Sequence, residues 1–210
     1  IATSASRDAK NGAELQEMIE ALCGAPMEIL SGPQEAYYSF LGATGEGYCG
    51  LVDVGGGSTE LVSYRDGVIT SGCSLPMGSL SLFTRHVSGL FPTKEERKAI
   101  RSHVEEELEK ARTSGLRCSH LTGVGGTIRA AAKLCNDLSG ADPDNRIIPV
   151  EEIKSLYKDL KKGDQDTLRQ ILRSVPDRVH TILPGLAILT AVLRVYRVET
   201  VSVSACGVLE

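Results

Sequence analysis

The chain has 210 residues, 41% of them hydrophobic and 24% charged, which is usual for a soluble globular protein of one domain. The formal net charge of −4 excludes a broadly basic nucleic-acid surface, so we expect any bound anion at a local site. The 6 cysteines lack C-x-x-C or metal-type spacing and indicate reduced thiols. The absence of a long apolar run and of signal-peptide features predicts a cytoplasmic protein without a membrane or nucleic-acid partner.

Hydrophobic periodicity alternates between helix and strand along the chain and predicts an α/β layer architecture. We predict helices over 9–22, 32–41, 78–87, 93–112, 127–138, 150–162 and 165–173, and an apolar helix around Pro184 that reaches Val195. Strands are predicted over 27–30, 47–53, 59–64, 67–77, 120–124 and 200–205. Residues 139–145 are predicted to form a loop. The chain has no initiator Met and ends directly after its last predicted strand, so we expect a piece of a longer protein.

The segment 51–62 places Asp53, a Gly55-Gly56-Gly57-Ser58 turn and Glu60 between two apolar runs. A glycine turn between strands can present backbone N–H groups to an oxyanion, and the flanking carboxylates can hold hydrated magnesium. The segment is not a Walker A loop, because no Gly-Lys-Ser/Thr follows. It is not a dinucleotide fingerprint either, because a strand follows the turn. An ordinary glycine-rich hairpin is the alternative.

A second glycine-rich segment, Gly123-Val124-Gly125-Gly126-Thr127, lies between a predicted strand and a predicted helix. Free N–H groups at a helix start can meet a further phosphate or a nucleoside edge, so Gly125 and Thr127 are candidate phosphate-binding residues. The alternative is that these glycines permit close packing of the helix on the sheet. Arg178 is expected at a solvated helix end, with a phosphate contact as the alternative.

Five motifs occur in a specific order along the chain: Ala2-Thr3-Ser4-Ala5-x-Arg7-Asp8-Ala9-x-Asn11, Ile29-Leu30-Ser31-Gly32-x-x-Glu35-Ala36, Asp53-Val54-Gly55-Gly56-Gly57-Ser58-Thr59-Glu60-Leu61, Gly123-x-Gly125-Gly126-Thr127 and Leu183-Pro184-Gly185-x-Ala187-Ile188-Leu189. Together they resemble the exopolyphosphatase and guanosine pentaphosphate phosphatase family. The resemblance spans essentially the whole chain. It implies an α/β fold, the second of two ribonuclease-H-like domains in the actin, sugar kinase and Hsp70 superfamily. The first domain and its phosphate hairpin are expected to be missing from residues 1–210.

The resemblance implies hydrolysis of a terminal phosphoanhydride of polyphosphate or guanosine pentaphosphate, with Mg²⁺ as cofactor. It places the general base on Glu35. The position agrees locally, because the N-terminal turn of a helix favours an ionised carboxylate. Acidic residues also occur in first turns simply for helix stability, which is the alternative.

The resemblance also gives roles to the other motif residues. Residues 55–58 become the second phosphate loop, and Asp53 helps to hold magnesium through water. Glu60 orients the metal or the attacking water, unless its place on the strand points it into solvent. Arg7 contacts phosphate through its guanidinium fork, with a surface arginine as the alternative.

Two functional classes fit these residues: a magnesium-dependent phosphohydrolase, and a non-catalytic phosphate or nucleotide sensor on the same scaffold. A kinase acting in reverse is a third option. The presence of Glu35 favours the hydrolase, because a sensor needs no base. We expect the chain alone to fold but to be nearly inactive without the facing domain. Longer family members suggest a homodimer for the full-length protein.

Overall fold

The computed structural model describes residues 1–43, 48–111 and 118–207. Within these residues the helices are α1 (Ser4–Arg7), α2 (Gly12–Cys23), α3 (Gly32–Ala43), α4 (Ser79–His86), α5 (Lys94–Lys110), α6 (Gly126–Ser139), α7 (Val150–Leu160), α8 (Gln165–Ser174) and α9 (Ile182–Tyr196), with a 3-10 turn at Pro176–Arg178. The strands are β1 (Tyr48–Val54), β2 (Thr59–Arg65), β3 (Val68–Leu75), β4 (His120–Val124), β5 (Ile147–Pro149) and β6 (Thr200–Val203).

The strands form one mixed sheet of 6 strands in the order β3-β2-β1-β4-β6-β5. The first three strands pair antiparallel as a meander, whereas β4 pairs parallel with β1 and β6 pairs parallel with β4. The short β5 closes the other edge antiparallel to β6. This arrangement confirms the predicted α/β class with a mixed sheet flanked by helices.

Alternation along β1 directs its side chains to two different cores. Leu51 packs with Phe40 of α3 on one face, while Val52 joins the larger core on the other face. The larger core surrounds α9, which is buried along most of its length and contacts α4, α5, α6 and α7. The sheet is therefore covered on both faces, and the turns at the carboxyl ends of β1 and β4 are held on a rigid frame.

The N-terminal part of the chain differs from its prediction. The strand predicted over 27–30 is wrong, because the structure has only an isolated bridge between Ala2 and Ile29 there. The helix predicted over 9–22 begins later, and the separate short α1 precedes it. No side chain of α2 is buried, and Met18 and Leu22 of its apolar stripe are 56% and 82% exposed.

Elsewhere the predicted elements are present with small shifts in their ends, and β5 is the one strand that the sequence pattern did not reveal. Residue 47, where a predicted strand begins, lies outside the described residues. So do residue 112, where a predicted helix ends, and the terminal residues 208–210. Among the described residues, no helix has both the length and the apolar character needed to cross a membrane.

Candidate phosphate-binding site

The glycine turn between β1 and β2 is docked on the first turn of α4. The amide of Ser79 donates to the carbonyl of Gly55 at 2.9 Å, and the amide of Ser81 donates to the carbonyl of Gly56 at 2.9 Å. Gly78 permits this approach, since a Cβ there would lie 2.3 Å from the Gly56 oxygen. The free N–H groups at the start of α4 therefore bind the turn and fix its orientation.

Because α4 holds its carbonyls, the turn keeps its own N–H groups for a ligand. The Gly55 amide donates to the Ser58 carbonyl at 3.0 Å, while the amides of Gly56, Gly57 and Ser58 donate to no other group among the described residues. The Ser58 hydroxyl is also buried without a hydrogen-bond partner. An unsatisfied buried hydroxyl costs about 1–3 kcal/mol, and a bound oxyanion would remove that cost.

Asp53 and Glu60 are brought together beside this turn. They are register partners across β1 and β2, and Ser74 is the partner of Glu60 on β3. The Ser74 hydroxyl donates to Glu60 Oε1 at 2.7 Å, and the Ser39 hydroxyl donates to Asp53 Oδ2 at 2.6 Å. The alternative that Glu60 points into solvent is wrong, because Glu60 is 1% exposed. Its side chain lies on the face that α3 covers.

The first turn of α3 carries Glu35 to the same place. A Cβ on Gly32 would lie 2.5 Å from the Ser74 Cβ, so α3 approaches β3 closely beside the two strand carboxylates. The Glu35 side chain is 9% exposed, and its Oε2 lies 3.4 Å from Nη1 of Arg7. Arg7 also donates to the Leu30 carbonyl. The predicted base and the predicted arginine are therefore in contact.

The electrostatics of the site follow from its burial. Burial, with the nearby charge of Glu35 as the second cause, raises the pKa of Glu60 to about 8. Burial also raises the pKa of Glu35, while Arg7 opposes this shift. The Ser58 hydroxyl lies close enough to Glu60 to favour its ionised form, but without hydrogen-bond geometry. At neutral pH Glu60 therefore holds a proton when no cation is bound.

The N-terminal segment is seated against the glycine turn. A Cβ on Gly57 would lie 2.5 Å from the Ser4 hydroxyl, and Ser4 itself is buried. This contact places α1, and with it Arg7, on the same side as the turn. Arg7 is 29% exposed in its side chain, so its guanidinium remains accessible from the site.

The second glycine turn, between β4 and α6, closes the site from the other side. Gly125 has a φ of 95°, and a Cβ on it would lie 2.7 Å from Asp53 Oδ1. Only glycine permits both this conformation and this contact. The start of α6 is thus held next to Asp53, which fits the predicted role of Gly125 at a phosphate.

Thr127 is placed differently from Gly125. Thr127 is 2% exposed. A Cβ placed on Gly185 would lie 2.5 Å from Cγ2 of Thr127. Thr127 therefore packs the start of α6 on α9, which agrees with the alternative of close helix packing. A contact between Thr127 and a phosphate stays a prediction.

Arg178 lies at the site, whereas the sequence favoured a solvated helix end over a phosphate contact. A Cβ on Gly126 would lie 2.4 Å from Nη2 of Arg178, so the guanidinium rests on the first residue of α6. Its Nε also pairs with Asp177 at 3.1 Å. No local pattern connects the 3-10 turn that carries Arg178 with the glycine turn, and the contact arises only in the fold.

The carboxylates of Asp53 and Glu60 suit magnesium better than a metal whose ligands all come from protein side chains. Among the described residues, no group of three or more His, Cys, Asp or Glu side chains is arranged to hold a metal. Magnesium usually keeps several waters and takes one or two carboxylates together with substrate phosphates. Asp53 and Glu60, next to a turn with free amides, match that donor set.

The chain is similar to known phosphatases. The family model described as the Ppx/GppA phosphatase family matches residues 1–210. The chain is 36% identical over 154 residues to Exopolyphosphatase 2 of Mycobacterium tuberculosis, covering 68% of this chain and 48% of that protein. A relative from Haemophilus influenzae is 28% identical over 209 residues, covering 95% of this chain and 62% of its own length. The chain thus spans less than two thirds of these relatives.

Solved structures extend the comparison to the fold. The Aquifex aeolicus PPX-GPPA enzyme is 29% identical to the chain in sequence and has a TM-score of 0.78. The match covers 98% of this chain and 71% of the Aquifex chain. An exopolyphosphatase from Cytophaga hutchinsonii is 22% identical to the chain and has a TM-score of 0.82. The match covers 98% of this chain and 70% of the Cytophaga chain. The latter likeness concerns the fold alone.

Proposed function

Since the chain belongs to the Ppx/GppA phosphatase family, we propose that it forms the catalytic half of a hydrolase that removes the terminal phosphate of inorganic polyphosphate or guanosine pentaphosphate. The curated relatives named as exopolyphosphatases make polyphosphate the first substrate to consider. The terminal phosphoanhydride is the same chemical group in both compounds, so one site can serve either.

The observation that carries this proposal is the unsatisfied glycine turn. Three consecutive amides and the buried Ser58 hydroxyl lie in one loop without partners among the described residues. Donors fixed in advance stabilise negative charge that develops on a transferred phosphoryl group, because they need no reorganisation during the reaction. Arg7 lies on the same side and adds a fork of donors suited to phosphate oxygens.

Glu35 is the residue we assign as general base. It is held at the start of α3 by close packing on β3, and Arg7 favours its ionised form against the effect of burial. An ionised carboxylate in this position can take the proton from a water molecule that attacks the terminal phosphorus. The P–O bond to the leaving phosphate then breaks, and the leaving group departs with the bonding electron pair.

Asp53 and Glu60 would hold Mg²⁺, with Asp53 acting through water. When bound, the ion would neutralise charge on the phosphate oxygens. The residues themselves have separate tasks. Asp53 is oriented by Ser39, and Glu60 is oriented by Ser74.

We further propose that a preceding domain forms the opposite wall of the cleft. The chain covers 48% and 62% of the two curated relatives. Helix α2 has no buried residue, and Met18 and Leu22 on it are exposed, so an additional domain can cover its apolar stripe. On this proposal the full-length protein is active, and residues 1–210 alone are not.

The test is phosphate release by the full-length natural protein from long-chain polyphosphate and from guanosine pentaphosphate, with and without Mg²⁺. Magnesium-dependent release from either substrate supports the hydrolase and ranks the substrates. Binding of both compounds without release would support the phosphate-sensing alternative instead.

Glu35→Gln separates the two functions within the same experiment. General-base catalysis contributes about 10²–10⁴ in rate, so we expect a loss of turnover of that size with little change in substrate binding. Glu28→Gln, at an exposed carboxylate just before α3, is the matched control. Undiminished release by the Glu35 variant would remove this residue from the mechanism.

A further inference from the structure

A strongly cationic groove lies away from the glycine turn, between α5, α7 and the middle of α9. Its cavity has a volume of about 510 Å³. The α5 side contributes Lys94, Arg97, Lys98 and Arg101. The opposite wall contributes further cations from α7 and α9, and the single lining carboxylate is Glu105. No residue of the glycine turn lines it.

The four α5 cations repeat at intervals of three and four residues, so they share one helix face. Like charges at these spacings destabilise a helix by about 0.2–0.5 kcal/mol per pair. The same helix pairs other cations with acids, as Lys110 does with Glu106 and Glu107 at 2.8 Å. The excess of positive charge on α5 is therefore confined to the helix face that lines the groove.

The one lining carboxylate is already shared. Glu105 Oε1 accepts from Arg101 Nε at 3.0 Å and from Arg194 Nη2 at 2.8 Å. Arg97 donates to the Pro92 carbonyl, a neutral acceptor, at 2.7 Å. Among the described residues, Lys94 and Lys98 have no ion-pair partner.

The second wall adds two lysines and a phenol. Lys154 pairs with the exposed Glu151 at 2.7 Å, and Lys161 lies 4.5 Å from the centre of the Tyr157 ring. Tyr157 is half-buried, and burial raises the pKa of its hydroxyl, so this group stays a hydrogen-bond donor at neutral pH. The groove thus offers ammonium, guanidinium and hydroxyl donors, with almost no acceptor to oppose an anion.

The floor of the groove is connected to the phosphate site by α9. Gly185 in the first turn of α9 contacts Thr127 and Ser79 beside the two glycine turns. Thr190 and Arg194 of the same helix line the groove. At 1.5 Å per residue, Arg194 lies about 14 Å along the axis from Gly185, a separation that a polymer can span but a single terminal phosphate cannot.

We propose that this groove is an exosite for inorganic polyphosphate, binding an internal stretch of a long chain at a place separate from the glycine turn. The assignment rests on the proposed function for the identity of the polyanion. It predicts that long-chain polyphosphate binds through two separate sites, whereas short substrates use only the turn. Affinity at the groove depends on salt, because it arises from screened charge interactions.

The test compares two double variants of the full-length natural protein. Lys94→Ser with Lys98→Ser removes two groove cations that have no ion-pair partner among the described residues. Lys133→Ser with Lys158→Ser removes two exposed lysines outside the groove and changes the net charge equally. Binding of long-chain polyphosphate and of tripolyphosphate is measured by calorimetry at low and high salt, together with KM and kcat for both.

The groove variant should bind long-chain polyphosphate about tenfold more weakly, because it loses two of the lining cations while the others still attract the polyanion through screened charge interactions. Its KM for the long chain should rise, with kcat and all tripolyphosphate parameters unchanged. The outside variant should behave as the unaltered protein. Equal long-chain binding by all three proteins would overturn the exosite while leaving the proposed hydrolase intact.

Two further results have distinct meanings. If no protein hydrolyses any substrate but the groove variant still loses long-chain binding, the proposed activity fails and the polyphosphate exosite stands. A single-stranded RNA that binds more tightly than polyphosphate, and loses that binding in the groove variant, would overturn polyphosphate as the ligand.

Discussion

Asp53 and Glu60 face each other across the β1–β2 pair, next to the turn whose amides are unsatisfied. Each is buried and each has a serine donor, Ser39 for Asp53 and Ser74 for Glu60. Burial of a carboxylate away from water favours its protonated form, and neighbouring negative charge adds to this effect. Burial is the main cause of the raised pKa of Glu60, with the charge of Glu35 second and that of Asp53 a smaller addition. We therefore expect the site to respond to pH and, on the proposed function, to magnesium.

Glu60 should make the stability of the protein fall as the pH rises. Its pKa is about 8 in the folded state against 4.5 for an ordinary glutamate, so between these values the native state binds the extra proton. The free energy of unfolding therefore decreases from pH 4.5 and levels off above 8. The difference between 4.5 and about 8 corresponds to at most about 5 kcal/mol.

Glu60→Gln should remove most of this pH dependence and should be the more stable protein at pH 9. The measurement is urea unfolding at pH 5.5 and 9, with Glu199→Gln, at an exposed carboxylate, as the control. If Glu60→Gln and the unaltered protein lose stability equally on going to high pH, Glu60 does not hold the proton.

Magnesium binding should release a proton from the same residue. A carboxylate must be ionised to ligate a metal, so at pH 7 Glu60 has to lose its proton when Mg²⁺ binds with a non-hydrolysable phosphate analogue. Calorimetry in two buffers of different ionisation enthalpy should detect about one proton released. The release should disappear in Glu60→Gln. Equal release from both proteins would place the titrating group elsewhere.

On the proposed function, Arg7 should set the pH at which the full-length protein becomes active. Burial raises the pKa of Glu35, and Arg7, 3.4 Å away, opposes this rise. Its removal raises the Glu35 pKa further, and because the base works in its ionised form, the acid limb of the kcat profile should move to higher pH in Arg7→Ala. Arg7→Lys should restore part of the shift. A lower kcat with an unmoved limb would limit Arg7 to phosphate binding.

Much of the frame follows from local pattern. The two apolar runs of segment 51–62, the glycines between them and the capping box at Thr93 and Glu96 each indicate their own local conformation. The glycine turn could be placed between two strands for this reason, and its binding of phosphate stays a prediction. Glu35 was placed correctly in the first turn of its helix for the same local reason.

The orientation of Glu60 could not be derived in this way. Thr59, Glu60 and Leu61 are all buried, so β2 is covered on both faces and its burial shows no alternation. A polar residue in such a strand carries no sign of the face on which it lies. The contact of Arg178 with the second glycine turn and the cationic groove could not be derived either, because their parts come from segments distant in sequence and meet only after folding.

Gly78 is the residue on which the docking of the glycine turn depends, and its substitution gives a structural test of the site. A Cβ at this position would lie 2.3 Å from the carbonyl oxygen of Gly56, a backbone atom that cannot swing aside. Gly78→Ala should therefore displace the turn from α4, lower the free energy of unfolding by about 1–3 kcal/mol and weaken phosphate binding. Gly72→Ala on β3 is the control, since its nearest neighbour, the Leu61 carbonyl, is 3.8 Å away and the contact is ordinary. Urea unfolding and calorimetric titration with tripolyphosphate should separate the two variants, and if Gly78→Ala binds as tightly as Gly72→Ala, the turn does not need α4 to hold its amides for the ligand.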